Sequence, residues 1–64
     1  MNILVIGSGG REHAIIRKLK ESPKTEKLWC APGNGGIAAD AECVAINAMD
    51  IDGVVDFAKK NAVD

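Results

Sequence analysis

The stretch Gly7-Ser8-Gly9-Gly10-Arg11-Glu12-His13 concentrates the groups in this chain that could do chemistry. Its glycines let a ligand approach the backbone closely, because no Cβ stands in the way. Arg11 is a fork-shaped donor suited to phosphate or carboxylate. Glu12 can accept from a hydroxyl or an amine, and His13 can donate to an oxygen or pack between loops. The plainer reading of the same three residues is a solvated first helical turn, in which Glu12 complements the helix dipole. No nucleophile stands beside a base, so covalent catalysis is not suggested. A second polar turn, Pro32-Gly33-Asn34-Gly35-Gly36, lies about twenty residues further on.

A glycine turn between a buried strand and a helix is an anion site, since the first helical N–H groups lack partners. A dinucleotide makes two further demands, and this chain meets neither. The third glycine of that fingerprint would stand where Glu12 is. The second strand should end in an acidic residue for the ribose, yet it ends Cys30-Ala31-Pro32, and Glu26 lies at its opposite end. The Lys-Ser/Thr of a P-loop is also missing. NAD, FAD and P-loop nucleotides are therefore poorly supported.

The elements that must carry these turns follow from hydrophobic patterning. The run "ILVI" at 3–6 has no polar alternation and predicts a central strand buried on both faces. From 12 to 22 the pattern is helical, with Ala14, Ile15, Ile16 and Leu19 on one side and Arg17, Lys18, Lys20 and Glu21 on the other. Pro23 ends it. Residues 26–31 form a second strand candidate, 37–41 a short helical turn and 43–47 a third strand. Asp50 is a candidate N-cap for a helix over 51–61, with Ile51, Val54, Val55 and Ala58 as its apolar stripe. Gly53 weakens that helix by about 1 kcal/mol relative to alanine. This alternation predicts an α/β domain with a doubly wound parallel sheet. Loops after consecutive parallel strands emerge at one edge, so the two glycine turns should be neighbours. Another strand is expected after 51–61, and "NAVD" stops where it would begin, so the chain reads as the opening portion of a longer protein.

Sixty-four residues allow one small domain. Cys30, Cys43 and the single His13 make neither a zinc set nor a disulfide framework, and read as free thiols in a reducing cytosol. A net charge of −1, with Trp29 and Phe57 the only aromatics, argues against nucleic acid as a partner. The apolar N-terminal run is too short for a signal peptide or a membrane span, so a cytoplasmic location is expected.

"VIGSGGREHA" together with "APGNGG" resembles the glycinamide ribonucleotide synthetase (phosphoribosylamine–glycine ligase) family of purine biosynthesis, and the resemblance continues through "VAINAMDIDGVVDFAKKNAVD". It implies a Rossmann-like, pre-ATP-grasp N-terminal domain, incomplete over 1–64, followed by ATP-grasp and C-terminal domains outside this chain. It implies a reaction in which ATP phosphorylates glycine and the amine of 5-phosphoribosylamine attacks, releasing ADP and phosphate. ATP and magnesium or manganese would bind outside this chain, which would hold no catalytic residue and no metal. The family motifs fall on Gly9, Gly10, Arg11, Glu12 and His13, and on Pro32, Gly33 and Asn34, as substrate-binding residues. The expected partners are small-molecule substrates and the remainder of the same protein, with self-association of the isolated piece possible. Competing readings are a dinucleotide-binding domain of an oxidoreductase, another ATP-grasp ligase, and a non-catalytic assembly module.

Overall fold

The computed structural model describes residues 1–64. In chain order it contains β1 (Asn2–Gly7), α1 (Gly10–Lys20), β2 (Lys27–Pro32), a single 3₁₀ turn (Ile37–Ala39), β3 (Glu42–Cys43) and α2 (Ile51–Lys60). The three strands form one parallel sheet in the order β1-β2-β3. β1 and β2 run in register from Asn2 opposite Lys27 to Gly7 opposite Pro32. β3 joins through Trp29 opposite Glu42 and Cys30 opposite Cys43.

Side chains alternate across a strand, so Trp29 and Cys30 point to opposite faces of the sheet. Cys30 packs with Ile16 of α1 and Ile37, and Val5, Leu28 and Ala41 close around that cluster. Trp29 meets Phe57 of α2 edge-on, with ring centroids 5.2 Å apart, and its indole N–H donates to Glu42 Oε2 at 2.8 Å. The two helices therefore cover the two faces, which is the doubly wound arrangement expected. No helix is long and apolar enough to cross a membrane.

Four details differ from the sequence expectation. First, β1 is only partly buried within this chain, with Ile6 39% exposed along the edge where a further strand is expected, while β2 lies between β1 and β3 with Trp29, Cys30 and Ala31 buried. The carbonyls of Met1 and Gly7 accept from Glu26 and Gly33 on the β2 side, so the backbone groups of Asn2, Leu4 and Ile6 face the other way. On that side Asp64 N–H donates to the Asn2 carbonyl at 2.8 Å, and Asn2 N–H donates to Asp64 Oδ2 at 2.7 Å.

Second, α1 spans Gly10–Lys20 instead of 12–22, because Gly9 is its N-cap and Glu21 its C-cap. Only Ile16 of its apolar side is fully buried, and Ile15 is exposed. Third, the packed stripe of α2 is Val54, Phe57 and Ala58, while Ile51 and Val55 are exposed. The side of α2 that carries Phe57 is the one that meets Trp29. The Asp50 cap is as expected, its Oδ1 accepting from Gly53 N–H at 3.0 Å. Fourth, β3 ends at Cys43. Val44 N–H still reaches the Cys30 carbonyl at 2.8 Å, but Ile46 N–H then turns back to the Val44 carbonyl at 2.7 Å and takes the chain out of the ladder. The Asn47 side chain accepts from Met49 N–H at 2.8 Å and leads directly into the α2 cap.

Ile16 is the one α1 side chain fully enclosed by the sheet. Ile16→Ala should lower the unfolding free energy by about 2–5 kcal/mol, through lost burial plus a residual cavity. Urea unfolding followed by Trp29 fluorescence checks this, and an unchanged midpoint would contradict the packing described.

Candidate functional site

The two glycine turns are neighbours at the carboxyl edge of the sheet, as the parallel topology requires. β1 ends at Gly7 directly opposite Pro32, where β2 ends. Beyond that pair the turns are tied by three bonds. Gly33 N–H donates to the Gly7 carbonyl at 3.0 Å, and the buried Cys30 thiol donates to the same carbonyl at 3.1 Å. The Asn34 side-chain amide donates to the Ser8 carbonyl at 2.5 Å, while its Oδ1 accepts from Ile37 N–H at 2.9 Å. Asn34 thus engages both ends of its amide inside the protein. It positions the first turn against the second.

Two glycines are required by the backbone itself. Gly7 has φ +142°, and a Cβ there would lie 2.7 Å from Glu12 Cδ. Gly33 has φ +71°, and a Cβ there would lie 2.5 Å from Cys43 Sγ. Both conformations are ones that side chains of L-residues rarely adopt. Around Gly10, by contrast, a Cβ would meet nothing within 4 Å, so this position opens outward.

Glu12 is a capping residue. Its Oε2 accepts from Gly9 N–H at 3.0 Å, which is the reciprocal half of a capping box. Its carboxylate therefore sits against Gly7 and Gly9, in the space a dinucleotide pyrophosphate would need. The first intrahelical bond of α1 runs from His13 N–H to the Gly9 carbonyl at 3.1 Å. The N–H groups of Gly10, Arg11 and Glu12 consequently have no acceptor within the helix. Gly9 N–H is already taken by Glu12, so the open amides are those of residues 10–12. Arg11 is exposed beside them, and the ion pairs of the chain fall elsewhere, at Met1, His13, Lys18 and Lys20.

His13 lies one turn along the same helix face as Gly10, with its ring turned to the second turn and Asp40. Its Nε2 lies 2.7 Å from Asp40 Oδ2, and its ring borders Gly36 in the second turn. Lys20 Nζ reaches the other Asp40 oxygen at 3.2 Å. Asp40 thus clamps α1 to the end of the 3₁₀ turn. The hydrogen bonds from His13 and then Lys20 hold its carboxyl below the usual carboxylate range. Sequence reasoning did not single out Asp40, and no spacing signal marks it, because 27 residues separate it from His13. Of the eight residues singled out, Gly9, Gly10, Arg11, Glu12, Gly33 and Asn34 come together around the paired turns. Pro32 closes the β2 edge opposite Gly7. His13 lines the same depression as Gly10 and braces α1 through Asp40.

The Asp40 clamp makes stability depend on acid. A carboxyl whose folded value is depressed contributes stability above its unfolded value of about 3.9, and loses it as pH falls through the folded value. The native chain should therefore be more stable than Asp40→Asn at neutral pH, and the gap should shrink progressively below about pH 4. Thermal unfolding of both across that range checks this, and a gap independent of pH would contradict it.

Comparison with known proteins bears on the same motifs. Residues 1–64 match the family described as phosphoribosylglycinamide synthetase, N domain. The chain is 52% identical over 64 residues to the phosphoribosylamine–glycine ligase of Caldanaerobacter subterraneus subsp. tengcongensis, covering 100% of this chain and 15% of that protein. It is 59% identical over 61 residues to the enzyme of the same name from Listeria innocua, covering 94% and 14% respectively. The corresponding protein of Pseudomonas aeruginosa is 49% identical over 63 residues, covering 95% and 15%. The chain therefore spans about 15% of the length of the relatives it matches. With paired glycine turns on a parallel sheet and a match along its whole length, this chain belongs to the phosphoribosylglycinamide synthetase N-domain family.

Proposed function

We propose that this chain is the N-terminal portion of an ATP-dependent carboxylate–amine ligase that joins glycine to 5-phosphoribosylamine, giving glycinamide ribonucleotide, ADP and phosphate. In this reading its paired turns form one wall of the phosphoribosylamine site. ATP and its magnesium or manganese belong to parts of the ligase outside this chain, and they supply the activation of glycine. The chain's own residues bind and orient the second substrate.

The observation that carries this reading is the cluster of open amides at 10–12 beside an unpaired Arg11. Three N–H donors at a helix N-terminus and one guanidinium suit a phosphate monoester. The outward opening at Gly10 lets that phosphate come close to the backbone. Asn34 acts through Ser8, holding the first turn in the shape that presents these amides. Glu12 and His13 enter as the cap and the brace of the same turn, and the free Oε1 face of Glu12 is available to the sugar hydroxyls or the amine. Pro32 and Gly33 keep the second turn flush against Gly7. A reducing, cytoplasmic setting fits the free thiols and is part of the same proposal.

Losing one charge-assisted hydrogen bond costs about 1.5–3 kcal/mol. In the full-length ligase, Arg11→Ala should therefore raise KM for phosphoribosylamine by roughly 10- to 100-fold. Gly10→Val should do the same by blocking the approach, with the KM for ATP little changed. Steady-state kinetics measures both, and an unchanged phosphoribosylamine KM in both variants would overturn the assignment. Residues 1–64 alone should form no amide. ATP-dependent product formation by the purified piece would refute the division of labour proposed.

A further inference from the structure

We propose that Cys43 and Cys30 form a hydroperoxide-responsive thiol pair, in which Cys43 is oxidised first and Cys30 then closes an intramolecular disulfide. The two residues are Cα partners on neighbouring parallel strands. Such neighbours lie about 4.8 Å apart, inside the range of about 4.4–6.8 Å that disulfides span. Both thiols are free, and they differ in setting: Cys43 is exposed and Cys30 is buried.

Gly33 leaves the space between them open. A Cβ at Gly33 would fall 2.5 Å from Cys43 Sγ and 3.5 Å from Cys30 Cβ, so both cysteine side chains border the one gap that the missing Cβ leaves. Both sulfurs are held by weak hydrogen bonds to loop carbonyls, Cys30 to Gly7 at 3.1 Å and Cys43 to Asn34 at 3.5 Å. Burial first, then the neighbouring Cys43 and Glu12, push the Cys30 thiol up, which makes it the poorer first target.

The order of events follows from this asymmetry. The Cys43 thiolate attacks the distal oxygen of a hydroperoxide, the O–O bond breaks, and Cys43 becomes a sulfenic acid while the alcohol or water leaves. The Cys30 sulfur then attacks the sulfenic sulfur. The S–O bond breaks, and the departing hydroxide takes the Cys30 proton and leaves as water. Two thiols are oxidised and one peroxide is reduced. The disulfide has no S–H, so the Gly7 and Asn34 carbonyls both lose a donor at the junction of the two glycine turns.

The test is peptide mapping of the full-length protein after treatment with hydrogen peroxide, which needs no variant. The expected product is a crosslinked peptide pair containing Cys30 and Cys43, lighter by two hydrogens and restored by dithiothreitol. In Cys30→Ser, Cys43 should instead accumulate as a sulfenic acid trapped by dimedone, and Cys43→Ser should show neither product. Overoxidation of Cys43 to sulfinic acid in the native protein, with no Cys30–Cys43 crosslink, would overturn the proposal. The mapping is independent of ligase kinetics, so its outcome is separate from that of the phosphoribosylamine assignment.

Discussion

Both glycine turns depend on the parallel register that ends β1 at Gly7 opposite the end of β2 at Pro32. Because the two strands stop together, the segments that follow leave the sheet side by side. The Gly7 carbonyl can then accept from Gly33 N–H and from the Cys30 thiol. Asn34 reaches the Ser8 carbonyl only from this alignment. A slip of one residue would also turn Cys30 away from Ile16 and Ile37, and Trp29 away from Phe57. Core and turns therefore share a single constraint.

That junction handles its charges by dividing them. Glu12 folds back onto Gly9, which satisfies one orphan amide and places its charge at the favourable end of the helix dipole. His13, one residue later and about 100° around the helix, is turned toward Asp40 instead. Arg11 is left exposed beside the three remaining amides. Three consecutive ionisable residues thus have three separate surroundings, because a helix distributes consecutive side chains around its axis.

Much of the scaffold was legible from local patterning. The α/β class, both helices, the Asp50 cap and the adjacency of the two turns follow from periodicity, turn residues and parallel topology. The expectations that shifted concerned which face each element buries. Ala14, Ile15, Ile16 and Leu19 share one side of α1 in the helical pattern, yet only Ile16 is fully buried, against Cys30 and Ile37. Likewise Ile51 and Val55 fit an apolar stripe, but they are exposed, and the side of α2 that meets Trp29 carries Phe57. β3 is shorter than its β-branched residues suggest, because the turn at Val44–Ile46 draws the chain out of the ladder.

Amino-acid order by itself determined where the backbone must bend and where it can cap. Gly7, Gly33, Glu12 and Asp50 act on residues within three positions of themselves or through their own φ, and short-range geometry is written directly in sequence. It also determined the family, through motifs that extend along the whole chain. Only the tertiary structure decided that Asn34 is bound to Ser8 and that His13 is held by Asp40. These pairings join segments up to 27 residues apart. Their partners are selected by how strands and helices pack, and no local pattern encodes that choice.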